Sequence, residues 1–416
     1  MLRWILGGRE AQGAVEKSPT LFIGEEQPKN PFTELQVLKG HFDIVRFLVQ
    51  IDDSRFASAG DDGLVLVWNV ETGERLMELR GHSQQITAMV AWSLINADTS
   101  HTSIITASSD RSLSLWDPDT GNRVQTISDL QSSVKCLLVL EHLDLWLSGG
   151  NELCVWNQDF KLLCKREVHS DAAITAMVQL PKMHVAAAVD KEIDGLFASG
   201  SHVGELIIWD AVNWTIQAYE HILWEEPHCD GQAEIRFVSQ KQSDMSIHHL
   251  ASNGEVILAA VGSGLYVYNI HSRNVVAYRK MAHDSNVLHT MLLSDGQLMS
   301  CSEDGSVRMW EMEPLPLPAE PASPGFFGLW SFGRSSKQTC PPVKKVPEVP
   351  ILKSLELTGD LIGHSGAIQM FLSFGEKGLV TCSTDHLVIL WKDGERQSRL
   401  RSLAVFQKLE ENQGLC

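Results

Sequence analysis

The chain has 416 residues, 44% of them hydrophobic and 21% charged, a balance that lets it bury a large core and excludes disorder of the chain as a whole. Its 34 Lys and Arg stand against 52 Asp and Glu, a formal net charge of -18, so the surface repels phosphate backbones and no nucleic acid partner is expected. Eight scattered cysteines without a C-x-x-C pair suggest neither a structural zinc nor a disulfide framework and fit a reducing, cytoplasmic compartment.

In chain order, residues 1–32 form an N-terminal extension. MLRWILGGRE holds too short an apolar stretch for a secretory signal, and no run in the chain approaches the roughly 18 apolar residues of a membrane span. No direct membrane span is expected. Leu2 in place of glycine and Cys416 as the last residue exclude the two common lipid anchors. FTELQVL (32–38) then reads as a strand with no hairpin of its own, followed by Gly40-His41 and an apolar run, IVRFLV (44–49).

From there one unit recurs: an apolar run, a polar turn and a second run ending in Trp. The copies are FASAGDDGLVLVWN (56–69), IITASSDRSLSLWD (104–117), LWLSGGNELCVWN (145–157), LFASGSHVGELIIWD (196–210), VILAAVGSGLYVYN (256–269, with Tyr for Trp), QLMSCSEDGSVRMWE (297–311) and LVTCSTDHLVILWK (379–392). Leu64, Leu66 and Trp68 alternate with Val65 and Val67, the period of a strand. A His stands before several copies, at His41, His82, His169, His283 and His364, and an apolar run after it supplies a third strand. A turn such as ETGER (71–75) and a run such as LMEL (76–79) supply a fourth.

These residues resemble the WD40 family of β-propellers, whose blades are four-stranded antiparallel sheets closed into a ring. The resemblance covers about residues 33–392. It implies an all-β propeller over 33–395, of seven blades or of eight with one largely missing, and a short C-terminal helix. The oddity lies before the fourth copy. MHVAAAVDKEI (183–193) has the pattern of a second strand and turn, yet LFASGSHVGELIIWD starts almost at once. At the end, GERQSRLRSLAVFQKLEEN follows the last Trp. Its Leu400, Leu403, Ala404, Phe406 and Leu409 suit an amphipathic helix within 396–416 rather than an outer strand. Pairing FTELQVL with the last blade would supply the missing strand and cover a costly edge.

Four copies place a His, an Asp and a Ser or Thr together: His41, Asp62 and Trp68; His82, Asp110 and Trp116; His283, Asp304 and Trp310; His364, Asp385 and Trp391. A nucleophilic triad occurs once per active site, whereas this set recurs at blade spacing, so these residues are read as structural. The WD40 resemblance implies that they hydrogen-bond within a blade. No catalytic residue, metal site or cofactor is expected. His248 and His249 are neighbours on a strand and point to opposite faces, which does not suit two ligands of one metal. The Gly-rich SGGNE and VGSGL sit in hairpin turns and lead into no helix, so they lack the context of a phosphate loop.

The segment with the most to say about partners interrupts the propeller at 314–350, where nine of the fifteen prolines fall. At its centre PGFFGLWSFGR (324–334) packs Phe326, Phe327, Leu329, Trp330 and Phe332 into seven residues. Burying such side chains at about 25 cal/mol per Å2 supplies several kcal/mol, enough for a specific partner contact. A fold back onto the chain's own blade, or insertion at a lipid interface beside Arg334, Lys337, Lys344 and Lys345, are the other uses of the same composition. The acidic loop WEEPHCDGQAE (224–234) reads as solvated.

Longer strings narrow the resemblance. MLRW, DIVRFLVQ (43–50), FASAGDDG (56–63), SHVGELIIWDA (201–211), AHDSNVLH (282–289), SCSEDGSVR (300–308) and FQKLEEN (406–412), with the aromatic loop, resemble one family among the WD40 propellers. That resemblance implies eight blades, of which about one is skipped here around Asp190 to Gly195. It also implies a non-enzymatic subunit of a complex with two DENN-domain proteins, connected with small-GTPase regulation and autophagy. Recruitment from the cytoplasm to the lysosome membrane would run through a PQ-loop amino-acid transporter, with the aromatic loop as tether. The same fold also serves as a substrate receptor for cullin ubiquitin ligases, which stands as the alternative.

Overall fold

The structure is a computed structural model. It describes residues 32–96, 99–166, 172–181, 195–221, 245–293, 296–314 and 353–413. Each hairpin of the sequence repeat forms the second and third strands of a four-stranded meander, with an inner strand before it and an outer strand after it. Blade 1 shows the plan: inner strand Val45–Gln50, second Arg55–Gly60, third Val65–Asn69 and outer Arg75–Leu79. Blades 2 to 6 repeat it with inner strands at Ile86–Asn96, Val134–Leu140, Ile174–Gln179, Ile247–Ser252 and Val287–Leu292.

Blade 7 takes its inner three strands from Ile368–Ser373, Leu379–Ser383 and Val388–Asp393. Its outer strand is Phe32–Leu38, which runs antiparallel to the third with Leu35 opposite Trp391 and Leu38 opposite Val388. Strands that begin 356 residues apart in the sequence, Phe32–Leu38 and Val388–Asp393, thus share one sheet, and the ring is shut by main-chain hydrogen bonds. The apolar core follows the same circuit. Seven clusters of buried side chains among the described residues each join two consecutive blades, and one of them packs Val380 and Leu390 of blade 7 against Leu48 and Leu66 of blade 1.

The ring therefore closes on seven blades, and the structure shows how the skipped stretch is absorbed. The inner strand Ile174–Gln179 pairs directly with Leu196–Ser201, Ile174 opposite Ser201 and Gln179 opposite Phe197. A skip that runs from one second strand to the next keeps the strand phase, so the inner strand from before it and the three strands after it form a complete blade 4. MHVAAAVDKEI lies outside the described residues and falls between those two strands.

Antiparallel meanders place the turns between second and third strands, and the links between blades, on one face of the ring. The other two turns of each blade lie on the opposite face. The helix Gly394–Gln413 leaves from that opposite face, directly after Asp393. Arg401 Nη1 holds both carboxylate oxygens of Glu34 at 3.0 Å, and Arg396 Nη2 lies 2.8 Å from Glu376 Oε2.

Blade 6 departs from the plan in two ways. Its third and outer strands, Ser306–Pro314 and Lys353–Ile362, are nine and ten residues long, where those of blade 1 have five each. The outer strand also pairs in parallel with Asn274–Arg279 of blade 5, Ala277 opposite Lys353, which fuses two blades into an eight-stranded sheet.

Candidate functional site

The four recurring polar sets build one hydrogen-bond chain each. In blade 1 Trp68 Nε1–H donates to Ser58 Oγ at 2.8 Å, Ser58 Oγ lies 2.7 Å from His41 Nε2, and His41 Nδ1 lies 2.7 Å from Asp62 Oδ2. Blade 2 repeats it through Trp116, Thr106, His82 and Asp110 at 2.8, 2.7 and 3.1 Å. Blade 6 uses Trp310, Ser300, His283 and Asp304 at 2.9, 2.7 and 2.9 Å. Blade 7 uses Trp391, Thr381, His364 and Asp385 at 2.8, 2.7 and 2.9 Å.

Only one set of protons satisfies every member. The indole N–H donates to the hydroxyl oxygen, the hydroxyl donates to Nε2, and Nδ1–H donates to the carboxylate, an assignment made from the network. The carboxylate also accepts a main-chain N–H from the link between blades, as from Ser83 N to Asp110 Oδ2 at 3.0 Å. Each chain therefore pins an interblade link to a hairpin turn. The hydroxyl that would be a nucleophile in a triad is occupied by the indole and buried, with Ser58, Thr106, Ser300 and Thr381 all at 0% exposure. The geometry suits bracing, because every donor and acceptor is spent.

The Gly before the His has a local cause. A Cβ on Gly81 or Gly363 would lie 2.9 or 2.7 Å from the Cη2 of Trp116 or Trp391, so the indole edge needs the space. In blade 6 Ala282 occupies this place and is fully buried.

Burial sets the proton state of the ring nitrogens. Desolvation holds His82, His283 and His364 below the usual histidine range, against the pull of Asp110, Asp304 and Asp385. Burial alone would raise the Asp110 carboxyl, but hydrogen bonds from Ser112, the Ser83 N–H and His82 outweigh it and hold the group at about 2. Thiols move the other way, with burial pushing Cys136 up to about 12 and Cys301 well above its usual value. Such thiols are not nucleophiles at neutral pH.

His249 finds a partner that sequence reasoning missed. Its ring lies against His289 of the adjacent inner strand with centroids 4.0 Å apart and planes tilted by 40°, and His289 meets Phe371 edge-on at 4.7 Å. Desolvation lowers His249 to about 4 and His289 well below its usual value, the latter also through its neighbour. Below pH 6.5 an unfolded chain takes up protons that these buried rings refuse, so stability falls with pH. Unfolding free energy from urea melts is expected to drop by about 2 kcal/mol between pH 7.5 and pH 5.5. A flat profile over that interval would show the rings to be solvated.

A second cluster was also not foreseen. His101, Asp117 and Asp119 bring one ligand atom each within 4.8 Å of the others. Asp119 already pairs with Arg55 at 2.5 Å, and Asp117 accepts from the Asp119 N–H and the Thr120 hydroxyl of its own turn. These contacts account for the cluster as a surface ion-pair group.

Phe326, Phe327, Leu329, Trp330 and Phe332 lie outside the described residues, as do His169 and the acidic loop 224–234. What the structure does place is the stem of the aromatic segment, where Pro314 stands opposite Lys353 and Met312 opposite Leu355. The stem projects from the face opposite the four braces, the face from which the C-terminal helix also leaves. No described helix is long and apolar enough to cross a membrane.

The WDR41 β-propeller family model matches residues 1–196 and 191–401 of this chain. WD repeat-containing protein 41 of Homo sapiens is 55% identical over 453 aligned positions, which cover 99% of this chain and 98% of that protein. Its namesake in Mus musculus is 52% identical over the same shares. Both alignments exceed the chain's length by close to one repeat, about 40 residues, and the two pieces of the family match meet at 191–196, where the sequence pattern skips. Among solved structures, the WD40 propeller domain of Doa1 is similar in fold, with a TM-score of 0.57 at 16% identity over 87% of this chain and 96% of that one. From the braces, the closed ring and these matches together, the chain belongs to the WD repeat-containing protein 41 family of WD40 β-propellers.

Proposed function

We propose that this protein is a non-catalytic scaffold subunit that assembles with two DENN-domain proteins and tethers them to lysosomes through a PQ-loop amino-acid transporter, in the service of autophagy and small-GTPase regulation. The observation that carries the reading is the blade 6 stem, an overlong paired hairpin secured to blade 5, from which the aromatic segment springs. A ladder of that length holds the base of the segment and lowers the ordering cost of presenting its rings to a partner. On the same face the helix leaves Leu400 and Leu403 at 49% and 58% exposure, beside an outer strand whose Leu35 and Val37 are also exposed. These apolar residues suit the docking of a subunit. The buried hydroxyls and thiols support the absence of a reaction.

Two reconstitutions test it. Changing Phe326, Phe327 and Trp330 to Ala is expected to abolish binding to proteoliposomes carrying the transporter, while the thermal midpoint and co-elution with the DENN-domain pair stay unchanged. A large loss of thermal stability would instead mean that the rings pack on their own blade. Removing residues 396–416 is expected to weaken co-elution with the DENN-domain pair and leave transporter binding intact. Co-purification with a cullin adaptor in place of the DENN-domain pair would favour the ubiquitin-ligase alternative.

A further inference from the structure

Blade 3 lacks the brace but keeps its frame. Its inner strand pairs Val134 with Gly150 just as blade 1 pairs Val45 with Gly60. In that register Ser148 takes the place of Ser58 and Trp156 that of Trp68. Leu130, four residues ahead of the inner strand, takes the place of His41. Glu152 follows Ser148 by four residues, as Asp62 follows Ser58, although the turn of blade 3 is two residues shorter, with Trp156 eight residues after Ser148 where Trp68 is ten after Ser58, so that the longer glutamate side chain stands in for the aspartate. All four of these residues line one open cavity of about 360 Å3 between blades 2 and 3, within the size range of small-ligand sites.

Half of the hydrogen-bond chain is already made there. Trp156 Nε1–H donates to Ser148 Oγ at 2.9 Å, and these residues are 5% and 3% exposed. At the mouth Glu152 Oε2 accepts from Lys165 Nζ at 2.9 Å, an ion pair open to solvent and readily exchanged. The missing member is the ring that joins hydroxyl to carboxylate, since a leucine side chain offers neither donor nor acceptor. In the complete braces of blades 2 and 6 that ring meets the indole edge-on, with centroids 5.9 and 6.2 Å apart.

We propose that this cavity binds the imidazole of a histidine presented by another polypeptide, which completes in trans the brace that His41, His82, His283 and His364 complete within their own blades. The Ser148 hydroxyl donates to one ring nitrogen, and the other ring N–H donates to Glu152. A phenyl ring of similar size offers no acceptor to the Ser148 hydroxyl and no donor to Glu152, which would keep only its solvent-exposed pair with Lys165, so recognition depends on the nitrogens and not on apolar area alone. The site faces the side of the ring opposite the aromatic segment's stem and is independent of the tethering reading.

The test uses the full chain and two probes, N-acetylhistidine methylamide and its phenylalanine counterpart, followed by saturation-transfer NMR. The histidine probe is expected to bind saturably and the phenylalanine probe about tenfold more weakly. Leu130→His would place a ring from the chain itself in the cavity, which should raise the thermal midpoint and abolish probe binding. Glu152→Gln changes a half-exposed group, should leave the midpoint in place and should weaken the histidine probe about tenfold. If Leu130→His folds poorly, the Glu152→Gln titration decides alone. Equal binding of the two probes, or histidine binding that Glu152→Gln leaves unchanged, overturns the proposal.

Discussion

A chain lacking Phe32–Leu38 is expected to lose about 5 kcal/mol of unfolding free energy and to associate through its sheet edge. The strand supplies the whole outer ladder of blade 7, from Phe32 opposite Asp393 to Leu38 opposite Val388, at roughly 0.5 to 1.5 kcal/mol per net hydrogen bond. It also buries Leu38, 4% exposed, in the cluster between blades 7 and 1, where a leucine contributes about 2 kcal/mol. Its loss would leave Val388–Asp393 as an exposed hydrophobic edge, a template for pairing with another chain. Because native proteins hold only about 5 to 15 kcal/mol in total, the truncated chain should unfold near or below physiological temperature. Urea melts followed by circular dichroism, with gel filtration for association, measure both effects. A melt superimposable on that of the intact chain would mean that the ring does not depend on this strand.

His283→Ala is expected to cost about 3 to 5 kcal/mol, the range for breaking one partner out of a buried charged network. The ring is 1% exposed and joins Ser300 to Asp304, and Ser306 and the Asp284 N–H crowd the same carboxylate. Removing it strands a buried hydroxyl and a carboxylate held below its usual range by those same contacts. The exchange His101→Ala, on a half-exposed ring in the surface ion-pair group, should stay within about 0.5 kcal/mol. The contrast separates bracing from chemistry. Below its lowered melting temperature the His283→Ala protein should bind the proposed DENN-domain pair as the parent does. Full stability combined with lost function would make the residue part of a working site.

Much of this architecture was legible because local signals agreed with one another. The alternation through Leu64, Leu66 and Trp68, the turn at Asp61-Asp62-Gly63 and the preceding Gly40-His41 all demand one hairpin, and that hairpin forms. FTELQVL could be assigned to the last blade because that blade ended in a helix pattern and lacked an outer strand. The spacing of the four His and Asp pairs foretold which residues would meet.

What escaped was decided by distance along the chain. MHVAAAVDKEI and LFASGS carry equivalent patterns in the sequence, and the pairing of Ile174–Gln179 with Leu196–Ser201 is not readable from either. His249 and His289 are 40 residues apart in the sequence, and they touch because neighbouring inner strands run side by side. Blade 3's incomplete brace did leave a signal, Leu130 where blades 1, 2, 6 and 7 have His. It becomes visible only once the strand register fixes which residue stands four before the inner strand.

The central claim is a single ring shut by the strand Phe32–Leu38, and amide hydrogen exchange on the native protein tests it most directly. Peptides covering residues 32–38 should exchange as slowly as those covering 388–393, and both should open together as denaturant is added, since each strand protects the other. Amides of 32–38 that exchange at the rate of an unpaired strand, while 388–393 stay protected, would contradict it.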